Sequence, residues 1–253
     1  FLSNADLVAH WGIIKIEIFL VLWLIIFLLL AIYLFGKIQF PHEMKPNKIS
    51  FNRKVFALLS LGFAIYLASG LIYNKETQSY RALSLLSGLA PPLGYSYFSP
   101  KECPNNLNCF KDFKSGIEYA KKVDKPVLLD FTGYACVNCR KMEEHIWPLK
   151  SIDNVIRENY VLISLYVDDK KLLPEDKQIL VERNNGKGVR QLINYGHKWA
   201  YFQAKYFKTN SQPYYILYNP ESNTILNHPV GYTPNEDEYL AYLNCGLEMY
   251  RKN

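Results

Sequence analysis

Pro126-Val127-Leu128-Leu129-Asp130-Phe131-Thr132-Gly133-Tyr134-Ala135-Cys136-Val137-Asn138-Cys139 is the stretch that decides the fold. It opens on an apolar run of strand length interrupted only by Asp130, and two thiols follow three positions apart where a helix begins. Thiols at that spacing can alternate between dithiol and disulfide. Cys136 falls where backbone N–H groups and the helix dipole favour a thiolate, so it is the expected attacking thiol. Cys139, one turn further on, is expected behind it, where it resolves a mixed disulfide.

The flanks read as alternating helices and strands. Asp112 to Lys122 has Phe113, Ile117 and Ala120 on one helical face, and Lys125-Pro126 ends it and opens the strand 127–131. A helix from Cys139 to Trp147 is stopped or kinked by Pro148. A short helix at 152–158 and a buried strand at 160–167 follow. The stretch 169–212 is polar and mixed, with a helix near 195–207. Strands 214–218 and 224–230 flank the turn Asn219-Pro220-Glu221-Ser222-Asn223, and a helix at 236–250 closes the chain. The fold class is α/β, a mixed sheet flanked by helices over 107–253.

The chain has 253 residues, 49% of them hydrophobic, enough for one well-buried domain and something more. It begins at Phe1 rather than Met, as expected of a fragment or a processed product. Residues 18–35 carry no charge, and neither do 55–73. Each run has the length that a bilayer core needs, about 17–25 residues. The first is too long for a signal peptide and no small-residue cleavage site follows it. Most of the net charge of +6 lies between these runs, where Lys37, Lys45, Lys48, Arg53 and Lys54 face only Glu43. Concentrated there, the charge argues against nucleic acid and places the loop in the cytoplasm. Residues from about 74 onward are then outside, in the periplasm of a bacterial inner membrane, where disulfides persist. Residues 1–73 form the membrane part, and 74–106 a linker. Its apolar stretch 82–90 is expected at the membrane interface or against the helices, and its prolines make it stiff and non-helical.

Leu129 to Lys141 resembles the active-site stretch of thioredoxins. With the two membrane runs before it, the whole chain resembles the C-terminal part of the DsbD-type membrane thiol:disulfide interchange proteins, the last two membrane helices plus a thioredoxin-like domain. The resemblance implies a protein-disulfide reductase with no cofactor beyond the Cys136–Cys139 disulfide. Its partners would be the membrane, an electron-donating membrane domain with its own cysteine pair, and periplasmic thioredoxin-fold or disulfide-containing proteins, including those of cytochrome c maturation. No cysteine lies in 18–35 or 55–73, so this chain alone is not expected to carry electrons across the bilayer. The resemblance also implies that Asp130 sits behind the cysteines and handles their protons, that Glu143 is a second acid one turn after Cys139, and that Pro213 is the cis-proline. The Gln212 backbone would then pair with a substrate strand. Carboxyls near Cys136 oppose its thiolate and favour a reductant. The alternatives are a solvated helix face for Glu143, a bulge-exposed strand end for Asp130 and an ordinary trans Pro213.

Two positions depart from thioredoxins. Ala135 stands where many have Trp, leaving Tyr134 or Phe131 to cover the site, and Ser164 stands where soluble thioredoxins have a Lys near the buried Asp. The aromatics Tyr195, Trp199, Tyr201, Phe202, Tyr206 and Phe207 read as packing of an extra helix, with partner docking as the alternative. Cys103 and Cys109 read as a small structural disulfide, an accessory redox pair or unpaired thiols, and Cys245 as a buried inert thiol. No metal is expected, because the five histidines show no paired ligand spacing. Arg140 after the second cysteine excludes covalent haem attachment. Asn185-Gly186-Lys187-Gly188 lacks Walker spacing and reads as a turn. Two other functions compete with the reductase: an anchored thiol oxidase or isomerase, and a non-catalytic membrane-tethered binding module.

Overall fold

The computed structural model describes residues 2–41, 49–75, 78–183 and 188–252. His42, Glu43, Lys45 and Lys48 of the basic loop, and most of the 185–188 turn, lie outside the described residues.

A short helix α1 (Leu2–Ala9) leads into α2 (Ile16–Leu34), which packs against α3 (Phe51–Ser69). The two long helices run antiparallel. Leu67 near the end of α3 clusters with Ile16 and Leu20 at the start of α2. Arg53 at the start of α3 donates to the carbonyls of Tyr33 and Leu34 at the end of α2, at 2.8 and 3.0 Å. A cation at a helix C-terminus satisfies carbonyls that no turn of the helix can reach. Both helices are long and apolar enough to cross a membrane. The second begins four residues before the run read from the sequence and stops at Ser69. Gly70 lies under Leu83, so close that a Cβ would be 2.6 Å from its Cδ1. The remaining apolar residues leave the helix, and Tyr73–Asn74 (β1) pairs with Ser79–Tyr80 (β2).

The globular part is a five-stranded sheet between two helical layers. Its strands are β3 (Cys109–Phe110), β4 (Val127–Thr132), β5 (Val161–Tyr166), β8 (Tyr214–Asn219) and β9 (Thr224–Ile225), in the order β3-β5-β4-β8-β9. The pair β6 (Leu180–Glu182) and β7 (Val189–Gln191) forms a separate hairpin within the 169–212 stretch. β4 is parallel to β5 and antiparallel to β8. Alternation along β4 divides its side chains between the layers. Leu128 faces a core built with Met142, Ile146, Trp147, Ile152, Ile156, Tyr239 and Leu243. These come from the helical run Val137–Ile146 (α5, Val137–Lys141, continuing as a π-turn) and its C-cap Trp147, from α6 (Lys150–Asn159) and from α8 (Glu236–Lys252). Val127, Leu129 and Phe131 face the other core, under α4 (Phe113–Val123) and α7 (Tyr195–Phe207).

Local chemistry accounts for the helix boundaries. Asp112 caps α4 by accepting from Ser115 N, and Asn194 caps α7 by accepting from His197 N. Each such cap stabilises its helix by about 1 kcal/mol. Pro148 has no N–H, so the helix carrying the cysteines ends and α6 starts afresh. α7 connects β5 to β8, and Trp199, Phe202 and Phe207 pack into the sheet while Tyr206 is exposed. The expected 224–230 strand is shorter. Thr224–Ile225 pair with β8, Leu226 N adds a bond to Leu217 O, and Val230 returns as a single bridge to Tyr215. Cys245, expected to be buried, is exposed on α8. The buried stripe of that helix is Tyr239, Tyr242, Leu243 and Gly246.

Gly246 lets α8 approach β8. A Cβ there would lie 2.3 Å from Leu217 Cδ1 and 2.7 Å from Tyr160 Oη, the hydroxyl that bonds Leu243 O. Gly246→Ala should therefore destabilise the domain by about 1–3 kcal/mol through overpacking. Denaturant midpoints of the two proteins test this, and an unchanged midpoint contradicts it.

Candidate active site

The site is built where parallel β4 and β5 end side by side, which brings the loop after each strand to the same edge. The loop after β4 holds Tyr134, Ala135 and Cys136. Just beyond β5, the Asp168 carboxylate accepts from Tyr134 N at 2.8 Å and Ala135 N at 2.9 Å. Asp168 thus clamps the backbone immediately before the first cysteine. It is absent from the sequence-derived candidates, although an acid directly after the neighbouring parallel strand was the available signal.

Cys136 is the N-cap of α5, and its Sγ lies 3.2 Å from Cys139 N. It is partly exposed, whereas Cys139 is buried, and the two are joined as a disulfide. Once the bond is reduced, an N–H aimed at Cys136 Sγ favours its thiolate. Cys103 and Cys109 form a second disulfide.

Asp130 is buried on the face of β4 covered by the cysteine-bearing helix. Strand register sets it between Ser164 and Tyr215. Neither carboxylate oxygen has a hydrogen-bond partner, and Ser164 Oγ has none either. Burial, reinforced by the nearby Glu143, holds the Asp130 carboxyl well above the ordinary carboxylate range, and Arg140 opposes the shift. Ser164, paired with Asp130 across the strands, is the nearest donor and its pull is outweighed, so burial favours the protonated form of an acid that can exchange its proton with a thiolate.

Glu143 is buried and not solvated. Its carboxylate accepts from Arg140 Nη2 at 2.6 Å and from Thr132 Oγ1 at 3.4 Å. Burial pushes Glu143 up to about 7, with Arg140 pulling it back. Arg140 is equally enclosed and also reaches Thr132 Oγ1 at 3.3 Å. The sequence places Glu143 with Asp130 as a second acid near the cysteines, with a solvated helix face as the alternative. A neighbouring cation takes part of its charge, which leaves Asp130 as the carboxyl without a counter-ion.

Tyr134 stacks on Tyr166 at 4.2 Å and meets His10 edge-on at 5.2 Å. Phe131, the other candidate cover, points to the opposite layer and packs on Phe202 and Phe207. The Gln212–Pro213 peptide is cis and precedes β8. Gln203, fully buried in α7, supports that loop by donating to Ser211 O at 2.9 Å, a role not read from the sequence. The Gln212 amide donates to Asn210 O at 2.8 Å.

A family model described as a thioredoxin-like domain matches residues 113–245, more than half of the chain. The chain belongs to the thioredoxin-like domain family. Solved structures similar to this thioredoxin-like chain include a DsbH oxidoreductase, with 19% identity, 56% of this chain and 85% of that one covered, and a TM-score of 0.41. A thioredoxin from Thermus thermophilus is 14% identical over 55% of this chain and 85% of its own, with a TM-score of 0.38. A thioredoxin-fold protein from Helicobacter pylori is 19% identical over 51% and 73%, with a TM-score of 0.36. No curated protein matches the chain. Thioredoxin-like folds work through cysteine redox chemistry without a cofactor. Among the described residues, no three His, Cys, Asp or Glu side chains gather as metal ligands. The fold and its disulfide-forming pair point to thiol–disulfide oxidoreductase chemistry.

The state of Asp130 can be read from stability. The folded protein holds this proton more tightly than the unfolded chain, where Asp titrates near 3.8. Wild-type stability therefore declines as pH rises above that value, a loss that Asp130→Asn does not share. In the disulfide form, Asp130→Asn should gain on wild type progressively as pH rises from about 4 toward neutrality. Denaturant midpoints across that range decide the matter. A difference that does not vary with pH contradicts the assignment.

Proposed function

We propose that this chain is the outward, substrate-facing station of a membrane protein-disulfide reductase of the DsbD type. Electrons from a membrane domain with its own cysteine pair would reduce Cys136–Cys139. The resulting dithiol would reduce thioredoxin-fold or disulfide-containing proteins in the periplasm, including those that serve cytochrome c maturation. In each transfer Cys136 thiolate attacks the partner disulfide and expels one partner sulfur. Cys139 thiolate then attacks Cys136 Sγ, releasing the second partner sulfur and restoring the Cys136–Cys139 bond. The partner gains two electrons and two protons, and the pair loses them.

The observation that carries this reading is Asp130. The burial that favours the protonated form of Asp130 also disfavours a charged thiolate on the enclosed Cys139, and a destabilised thiolate makes a dithiol readier to give up electrons. Arg140, the nearby cation, is bonded to Glu143. The two apolar helices support the membrane setting. Arg53 and Lys54 at the start of α3 fall at the loop end of the helix pair, so a cytoplasmic loop leaves the thioredoxin-like domain outside.

Two measurements test the proposal. The reduction potential should lie at or below the thioredoxin value of about −270 mV, and a value near the −120 mV of a strong oxidant sinks the direction of transfer. Cys139→Ser should trap partners in mixed disulfides through Cys136, whereas Cys136→Ser should trap none. Trapping through Cys139 reverses the two roles. A Cys136/Cys139 double Ser variant that retains function points instead to a binding module.

A further inference from the structure

The linker segment 83–90 touches both the membrane-length helices and the active-site helix. At one end Leu83 packs with Ile16, Leu20 and Leu67. At the other, Gly88 lies against Val137, the residue immediately after Cys136. Gly88 has φ +78°, and a Cβ on it would stand 2.6 Å from Val137 Cγ1 and 2.7 Å from Val137 Cα. Only glycine fits an approach that close in that backbone conformation. Further along the same helix, Ser87 Oγ is 2.7 Å from His145 Nε2, and Ser87 is buried. On the other side of the cysteine loop, His10 packs edge-on against Tyr134 and bonds Asp169 at 2.8 Å. Segments adjoining the helix pair therefore touch residues on either side of Cys136 in sequence, Tyr134 and Val137.

We propose that residues 83–90 form an internal cover on the face of the active-site helix beside Cys136, which a protein dithiol donor must displace before it can react. The cover rests on the thiol-exchange reading above. A partner protein has to bring its sulfur to bonding distance, about 2 Å, with its own backbone alongside the helix. A small thiol needs only the part of Cys136 that is already exposed. In the open form a donor thiolate attacks Cys136 Sγ, the Cys136–Cys139 bond breaks and Cys139 leaves as thiolate. The second donor thiolate then attacks the donor sulfur of the mixed disulfide and frees Cys136. The donor dithiol becomes a disulfide, and the pair takes up two electrons and two protons. The apparent rate with a protein is lowered by the fraction of molecules that are closed.

The test uses the full chain in detergent micelles, with its Cys136–Cys139 disulfide reduced either by a soluble reduced thioredoxin or by dithiothreitol. Gly88→Ala breaks the contact with Val137, and Ser87→Ala removes the bond to His145 while leaving the backbone unchanged. Gly188→Ala is the control, since it has φ +83° with nothing within 4 Å of a Cβ. Gly88→Ala and Ser87→Ala should accelerate the thioredoxin reaction about tenfold and the dithiothreitol reaction less than about twofold, with Gly188→Ala changing neither. Equal thioredoxin rates in all four proteins, or equal acceleration by both reagents, overturns the cover alone. A disulfide that reacts with neither reagent overturns the exchange chemistry on which it rests.

Discussion

The pairing of β4 between parallel β5 and antiparallel β8 is the constraint on which the site depends. A strand buried on both faces has no solvated side on which to place a polar residue. Its alternation therefore decides which layer receives each side chain. Leu128, Asp130 and Thr132 go to the layer of the cysteine helix, and Leu129 and Phe131 go to the layer of α4 and α7. A slip of one residue would exchange the two sets and carry Asp130 away from the cysteines. The parallel register also brings Asp168 beneath the loop that carries Cys136.

Three side chains that carry a charge in neutral water are enclosed on that side of the sheet: Asp130, Arg140 and Glu143. An ion removed from water without a partner costs several kcal/mol, so they cannot all be charged and independent. Arg140 and Glu143 meet this cost by pairing, and Asp130 by keeping its proton. This division of roles gives the domain one buried proton that is free to respond to the thiols. The ion pair fixes the helix on Thr132 and Gly133 at the base of the loop. The same two residue types, an acid in a strand and an acid on a helix, thus do different work because only one of them meets a guanidinium.

The membrane-length helices and the domain are joined through contacts as well as through the chain. Glu17 at the start of α2 receives the Ser96 hydroxyl and Tyr97 N, which holds the linker to the helix pair. Asp6 accepts from Ile13 N, Ile14 N and the Tyr95 hydroxyl. Polar side chains placed at the helix ends satisfy backbone groups that would otherwise be left unbonded. The linker consequently follows a defined path past the cysteine helix, where Gly88 meets Val137.

Much of the fold was legible in the sequence because it is carried by local signals. Apolar runs of strand length, Asp112 before an amphipathic pattern and Pro148 after the cysteine helix each act within a few residues, and the helix 195–207 was read at its observed ends. The Cys136–Cys139 spacing and the lengths of the apolar helices are likewise local. Tertiary structure alone decided which groups share a site. Asp168 reaches the loop across 34 residues of sequence, Gln203 supports the loop before Pro213, and the pairing of Arg140 with Glu143 depends on both being enclosed. Cys245 was misplaced, and the choice between Tyr134 and Phe131 was left open, for the same reason: helix rotation and strand face are set by what packs against them. The sequence by itself determined that two thiols could cycle beside an acid. Whether that acid is charged, and what lies next to the outer thiol, followed only from burial, because desolvation and contact are properties of the assembled core.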